Sequence, residues 1–119
     1  MRGIVGEQVL LRVTIAESRT HDDRPLFQAL VDLLRADGLA GCTVVKGVAG
    51  FGHDRRVHTL ALEVAAHHLP IVIEVVDAPE RIDRVLPKIE ALMAGGVMTL
   101  ERAKVIRYAR SGPPEPSPS

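Results

Sequence analysis

The chain has 119 residues, of which 46% are hydrophobic and 25% charged, and its 15 Lys and Arg residues balance 15 Asp and Glu residues. This composition is typical of one soluble globular domain, and the neutral balance excludes a protein that attracts nucleic acid through its overall charge. The chain contains no apolar run near the roughly 20 residues that a membrane-spanning helix needs and no signal-peptide core, so we expect a cytoplasmic protein without membrane insertion.

The first half of the chain predicts a strand, a helix and a second strand. Apolar and more polar residues alternate over 8–16, as in a strand that has one apolar face and one face of more polar character. Asp22–Asp23 are placed to cap a helix, with Pro25 in its first turn. Apolar residues at spacings of three and four continue the helix to Gly38, where a left-handed residue suits the helix end. A second strand is expected over 41–48.

A third strand and a second helix are expected next. The strand is predicted over 70–77, with a proline acceptable as its first residue. Asp77 can cap the helix, and Pro79 lies near its beginning. Pro87 falls inside the helical pattern, where a proline costs about 3 kcal/mol. We therefore expect a kink or a break at Pro87.

The last apolar stretch and the tail complete the pattern. Residues 97–108 change the phase of their alternation near Arg102–Ala103, which predicts a bulge or two short strands. Residues 111–119 have no apolar anchor and are predicted to be disordered, so the domain is placed at 1–110.

The order β-α-β-β-α-β predicts an α+β, ferredoxin-like fold, in which two helices cover one face of a four-stranded antiparallel sheet. Val, Leu and Ile occur on both faces of the first and third strands. We therefore expect other subunits to cover the second sheet face.

The segment Thr43–Thr59 carries the clearest functional signal, because a β-branched strand there runs into a loop rich in glycine, arginine and histidine. Glycines permit positive φ and close backbone approach. Lysine and arginine beside exposed backbone N–H groups suit phosphate oxygens or an acidic partner. The candidate ligand-binding residues are Lys46, Gly47, Gly50, Phe51, Gly52, His53, Arg55, Arg56 and His58.

Other reactive side chains favour structural roles. Cys42 lies in an apolar strand and is expected to pack inertly. Three carboxylates could be considered for acid–base catalysis. Helix capping explains Asp22–Asp23 more simply, and solvation at a strand edge explains Glu101. The five-residue spacing of His53 and His58 does not define a metal site, and we expect no metal. No catalytic sequence motif pairs a nucleophile with a base, so we expect no enzyme.

Six segments together resemble the PII-like signalling proteins, most closely a family of small bacterial and archaeal relatives labelled as a domain of unknown function. The resemblance covers residues 8–109. The matching segments are Asp23-Arg-Pro-Leu-Phe27, Val45-Lys-Gly47, Gly50-Phe-Gly-His53, Leu69-Pro-Ile-Val72, Glu74-Val-Val-Asp77 and Gly96-Val-Met-Thr-Leu-Glu101.

The resemblance implies a trimer with ligands, adenine nucleotides among them, in clefts between subunits. It also implies that the loop over 48–69 contacts a regulated partner, such as a membrane transporter or a metabolic enzyme. The sequence departs from true PII proteins in three places. Val48-Ala-Gly50 is inserted before Phe51, residues 94–102 lack the basic phosphate loop, and the 48–69 loop has no tyrosine.

The leading hypothesis is a non-enzymatic regulator that binds a small anionic ligand and relays its presence to a protein partner. An adenine nucleotide is the leading candidate for the ligand. One alternative is a trimer that binds a partner without a nucleotide. A small phosphate-cleaving enzyme that uses the loop's Arg and His residues is another. An RNA-binding module on the same fold is disfavoured, because such modules stack bases on sheet aromatics and the sheet offers almost none.

Overall fold

The computed structural model describes residues 5–52, 55–59 and 68–108. A four-stranded antiparallel sheet and two helices form the body of this part of the chain, with two short two-stranded ribbons beside them. In chain order the elements are β1 (Gly6–Ala16), β2 (Thr20–His21), β3 (Arg24–Pro25), α1 (Leu26–Ala36), β4 (Thr43–Lys46), β5 (Ala49–Gly50), β6 (His58–Thr59), β7 (Pro70–Asp77), α2 (Pro79–Leu92) and β8 (Val97–Val105).

The main sheet has the strand order β4-β7-β1-β8, with every neighbouring pair antiparallel. The two central strands are therefore β1 and β7, whose residues alternate between buried and partly exposed positions over most of their length. Helices α1 and α2 each connect one central strand to an edge strand. This arrangement confirms the predicted ferredoxin-like α+β fold.

One face of the sheet and both helices enclose the hydrophobic core. Alternate residues of β1 and β7 point to this face and are buried, as the period of two requires. The helices contribute apolar residues at spacings of three and four. The core residues are Leu11, Val13, Ile15, Leu26, Leu30, Leu34, Ile71, Ile73, Val75, Ile82, Val85 and Ile89.

The end of α1 agrees with the prediction, whereas its start does not. Gly38 has φ +83°, and Leu39 N–H donates to the Leu34 carbonyl oxygen, as in a left-handed helix end. Pro25 is the N-cap residue and no side chain caps the helix. Asp22 and Asp23 instead have positive φ in the turn between β2 and β3, so the prediction that they cap α1 was wrong.

Helix α2 begins with Pro79 as predicted and continues through Pro87 to Leu92. Of the predicted kink or break at Pro87, the break was wrong, because α2 is continuous there. Ile82, Val85 and Ile89 bury the apolar face of α2 on both sides of this proline, and that packing outweighs the lost backbone hydrogen bond.

Asp77 ends β7 and lies just before the N-cap residue Ala78, so it is not itself the cap. Its fully buried carboxylate accepts hydrogen bonds from Ala78 N–H at 2.7 Å, Arg81 Nε at 2.6 Å and Ala40 N–H at 2.7 Å. Asp77 thus joins the start of α2 to the segment before β4.

Strand β8 is continuous, with an unbroken register from Val97, opposite Thr14, to Val105, opposite Gly6. The predicted bulge near Arg102–Ala103 was wrong. The apparent change in the alternation of apolar residues arises because both faces of β8, an edge strand, carry apolar residues. Residues 109–119, which include the predicted disordered tail, lie outside the described residues.

Neither helix of the described chain combines the length and apolar character that crossing a membrane requires. The longer helix, α2, has 14 residues.

Candidate functional site

The candidate site begins where β4 leads into the glycine-rich segment. Gly47 N–H donates a hydrogen bond to the carbonyl oxygen of Pro70 at 2.8 Å. A Cβ atom added to Gly47 would lie 2.7 Å from Pro70 Cγ, and one added to Gly50 would lie 3.3 Å from the same atom. These two glycines therefore let the backbone pack directly on the ring of Pro70.

The glycines of this segment do not have the positive φ that the sequence suggested. Among the described glycines, positive φ occurs at Gly6, Gly38, Gly95 and Gly96. Within residues 47–59 the left-handed conformation falls instead on Arg55, with φ 61°. Gly47 and Gly50 are thus explained by close approach to Pro70. A Cβ added at Gly52 would meet no described atom within 4 Å.

Lys46 is the last residue of β4, and its charge is already paired. Its Nζ lies 3.1 Å from Oε1 of Glu17, whose side chain is mostly buried at 17% exposure. Lys46 projects from the same sheet face as Val44, toward the helices, because it lies opposite Ile71 of the core face. This lysine therefore fixes the start of the segment, and an anion would have to compete with Glu17 for it.

The two arginines of the segment remain on the surface. Arg55 N–H donates a hydrogen bond to the Gly52 carbonyl oxygen at 2.8 Å. Arg55 and Arg56 are both exposed. His53, another candidate ligand-binding residue, lies outside the described residues. The predicted cationic surface therefore consists mainly of Arg55 and Arg56 in the described chain.

Exposed apolar side chains flank these arginines. Val48, Phe51 and Val57 are 68%, 65% and 56% exposed. Such side chains do not stabilise the domain core, and grouped along one segment they are typical of a contact surface. The segment thus presents positive charge and apolar area together.

His58 approaches a residue that the sequence did not connect to it. Gly50 and His58 are paired across the β5–β6 ribbon. The ring centres of His58 and His68 are 5.4 Å apart, with an angle of 37° between the ring planes. His68 precedes Leu69 and Pro70, so both ends of the segment meet close to the proline on which the glycines pack.

The sheet face opposite the helices, here called the open sheet face, carries an ion network at its centre. Arg12 Nε lies 2.9 Å from Glu74 Oε2, and Arg12 Nη1 lies 3.1 Å from Glu101 Oε2. Hydrogen bonds, first to Glu74 and then to Glu101, raise the pKa of the Arg12 guanidinium. The network joins β7, β1 and β8, and it replaces the simple solvation that was predicted for Glu101.

Around this network the open sheet face mixes apolar side chains with threonines. Residues paired across antiparallel strands point to the same face, so the register assigns each side chain. Val45 and Val97 are 50% and 59% exposed. The open sheet face consists of Leu10, Arg12, Thr14, Thr43, Val45, Val72, Glu74, Val76, Val97, Thr99, Glu101, Ala103 and Val105.

A shallow cavity of about 350 Å³ lies on the open sheet face, at the end of β7 remote from Pro70. Leu10, Val76, Tyr108 and Cys42 contribute to its wall. Cys42 is exposed and precedes β4, so the prediction that it packs inside a strand was wrong. Partial desolvation raises the pKa of its thiol, which keeps it protonated and weakly nucleophilic.

These features define what the segment can contact. The segment offers arginines, backbone groups and apolar contacts, which recognise anions or proteins. Across the described ranges, no three His, Cys, Asp or Glu side chains gather at a metal-binding distance. Glu17 and Pro70 were missed by sequence reasoning, because only the fold brings them to the segment.

Comparison with known proteins agrees with this fold. Residues 8–105 match the DUF190 family (Uncharacterized ACR, COG1993). A UPF0166 protein of Aquifex aeolicus (strain VF5) is 31% identical over 102 residues, covering 86% of this chain and 96% of the relative. The UPF0166 protein MJ1524 of Methanocaldococcus jannaschii is 29% identical over 99 residues, covering 82% of this chain and 91% of the relative.

Two solved structures share the architecture. CPII from Thiomonas intermedia K12, a nitrogen regulatory PII-like protein bound to ADP, AMP and bicarbonate, has a TM-score of 0.62 at 21% identity, covering 85% of this chain and 90% of CPII. TTHA0516 from Thermus thermophilus, a candidate PII-like signaling protein, has a TM-score of 0.61 at 18% identity, covering 85% and 91%. The chain therefore belongs to the DUF190 family and has a PII-like fold.

Proposed function

We propose that this protein is a non-enzymatic, cytoplasmic PII-like regulator. It binds a small anionic ligand in clefts between the subunits of a trimer. The leading candidate for this ligand is an adenine nucleotide. The 48–69 loop relays the presence of the ligand to a protein partner. The observation that carries the proposal is the pair of exposed arginines, Arg55 and Arg56, on a segment whose base is fixed against Pro70.

Charge and anchoring together support anion binding at this segment. An arginine offers a planar, permanently charged fork that matches phosphate oxygens. Each charge-assisted hydrogen bond contributes about 1.5–3 kcal/mol, so a few are enough for useful affinity. Since Gly47 and Gly50 hold the base in place, less order has to be gained when the ligand binds. The ADP and AMP bound by CPII support an adenine nucleotide as the first ligand to test.

The trimer is supported by the open sheet face. Its exposed valines and its central ion network form a surface that a monomer leaves in water. A trimer would cover this surface and place the glycine-rich segment of one subunit beside its neighbour. A mass of three times the 12.9 kDa chain mass, measured by light scattering, tests this step.

The relay is supported by the apolar residues next to the arginines. Val48, Phe51 and Val57 would contact the partner, while Arg55 and Arg56 contact the ligand. A ligand that favours one arrangement of the segment would thereby change the partner's affinity. The same apolar residues also favour the second candidate function, a trimer that binds its partner without a nucleotide.

The deciding experiment measures thermal unfolding with ADP, AMP, ATP and cyclic AMP for the wild type and for Arg55→Ala/Arg56→Ala. At a hundred times its Kd, a ligand stabilises the folded state by about 2.7 kcal/mol, which raises the Tm by several degrees. The double variant should lose this shift, while Arg35→Ala, an exposed arginine on α1, should keep it.

Each outcome separates the candidates. A shift that both the wild type and the double variant show would place the ligand elsewhere. No shift with any nucleotide would favour the trimer that binds only a partner. Release of inorganic phosphate or AMP from a nucleotide, abolished in the double variant, would favour the phosphate-cleaving enzyme.

A further inference from the structure

The facing histidines His58 and His68 have the separation of two ligands on one metal ion. In a tetrahedral zinc site with Zn–N bonds of about 2.0–2.1 Å, the centres of two imidazole rings lie about 5.2 Å apart. The ring centres of His58 and His68 are 5.4 Å apart, and their planes are tilted by 37°. The tilt leaves the two rings unstacked.

The backbone beside each histidine is held by contacts of its own. His58 pairs with Gly50 in the β5–β6 ribbon, and Gly50 packs on Pro70. His68 lies just before Leu69, which is buried at 1% exposure and accepts Glu17 N–H at 2.9 Å through its carbonyl oxygen. Since the two residues are fixed through separate backbone contacts, little entropy is lost when a metal joins their side chains.

We propose that His58 and His68 chelate a divalent transition-metal ion, with zinc as the reference ion. Neutral imidazole is a preferred ligand of zinc, copper and nickel. Water would complete the coordination, since within the described residues no third His, Cys, Asp or Glu joins the pair. A metal-binding histidine ordinarily keeps its other ring nitrogen in a hydrogen bond, so other contacts of His58 are compatible with binding.

A metal at this position would act as a clip on the glycine-rich segment. It joins β6 to the residues just before β7, and so closes the chain between His58 and His68. Cross-links that close a loop stabilise it by removing conformational freedom. The metal would therefore tie β6, and with it the β5–β6 ribbon, to the start of β7. This proposal stands independently of nucleotide binding.

The test is calorimetric titration of zinc into the full chain and into His58→Gln, His68→Gln and the double variant. The wild type should bind one zinc ion per chain, and each single variant should weaken binding about tenfold or more. His21→Gln is the matched control, since His21 lies in β2 beside Asp22, and it should bind zinc like the wild type. Urea unfolding of each metal-free variant checks that the fold is kept.

A spectroscopic measurement reads the ligands directly. Pulsed electron paramagnetic resonance of the Cu²⁺-loaded protein should show two bound imidazoles in the wild type and one in each single variant. Zinc affinity that is unchanged in the double variant, or no zinc binding by the wild type, would overturn the proposal.

Discussion

Gly47 and Pro70 form the contact on which the geometry of the glycine-rich segment rests. Gly47 N–H donates to the Pro70 carbonyl oxygen at 2.8 Å, while the Pro70 ring occupies the space where a Gly47 side chain would begin. One residue leaves β4 and the other begins β7, so their contact sets the separation at which the chain departs from the sheet and returns to it. The loop is thus positioned by backbone packing at its base.

Gly47→Ala tests this contact. The added methyl group would lie 2.7 Å from Pro70 Cγ, so the stiff proline ring or the backbone must shift. We expect a loss of about 1–3 kcal/mol in the free energy of unfolding, measured by urea denaturation. Gly41→Ala is the control, because a methyl group there has open space and its φ is not positive. Equal stability of the two variants would contradict the close contact.

Asp77→Ala should have the largest effect on stability among the substitutions considered. The buried carboxylate accepts three hydrogen bonds, and its loss would leave Ala40 N–H, Ala78 N–H and the Arg81 guanidinium without this acceptor. Removing one partner of a buried charged pair costs about 3–5 kcal/mol. Thermal and urea unfolding of the variant measure this loss.

Asp32→Ala provides the comparison for Asp77→Ala. Asp32 also pairs with an arginine, Arg24, but its side chain is 64% exposed. Exposed pairs contribute about 0.2–1 kcal/mol, so Asp32→Ala should change stability little. A comparable loss of unfolding free energy in both variants would show that burial does not determine how much the Asp77 interactions stabilise the fold.

Pro87→Ala should stabilise the protein. Pro87 is exposed in the middle of α2 and cannot donate a backbone hydrogen bond within the helix. Alanine restores the donor and has the highest helix propensity, so we expect a gain of about 1–3 kcal/mol in the free energy of unfolding. Lys88→Ala is the comparison at the adjacent exposed position. Residue 88 already has a backbone N–H, so this change adds no donor, and it removes the ion pair with Asp37. It should therefore not stabilise α2. A destabilised Pro87→Ala variant would show that Pro87 contributes packing of its own.

The parts of the fold that the sequence predicts well are those whose local pattern agrees with their packing. The strand at 70–77 was predicted with its observed bounds, because a run rich in Val and Ile lies there between a proline and the start of a helix. Pro87 and β8 were misjudged for a physical reason. In α2, tertiary packing outweighs local propensity, and in β8 both faces of an edge strand carry apolar residues.

The candidate site was predictable in composition but not in geometry. Glycine and arginine types drew attention to the segment 43–59. The reason for Gly47 and Gly50, however, is Pro70, and the partner of Lys46 is Glu17. Both partners are remote in sequence, so no spacing rule connects them to the loop. The His58–His68 approach likewise depends on how β6 returns toward β7.

Arg12→Gln tests whether the open sheet face is covered by other subunits. Arg12 binds Glu74 at 2.9 Å and Glu101 at 3.1 Å, so the variant leaves two carboxylates without their shared cation. In a free subunit water solvates them, whereas in an assembly they would be desolvated at a subunit contact. We therefore expect Arg12→Gln to weaken subunit association about tenfold or more, as measured by analytical ultracentrifugation over a range of concentrations.

Two further variants make this result specific. Arg102→Gln removes an exposed arginine of β8 that lies opposite Val9, on the helix-side face, and should leave association unchanged. Arg12→Gln/Glu74→Gln removes one of the stranded carboxylates and should recover part of the lost association. If Arg12→Gln and Arg102→Gln associate equally well, the open sheet face is not the subunit contact, and the trimer must form through another surface.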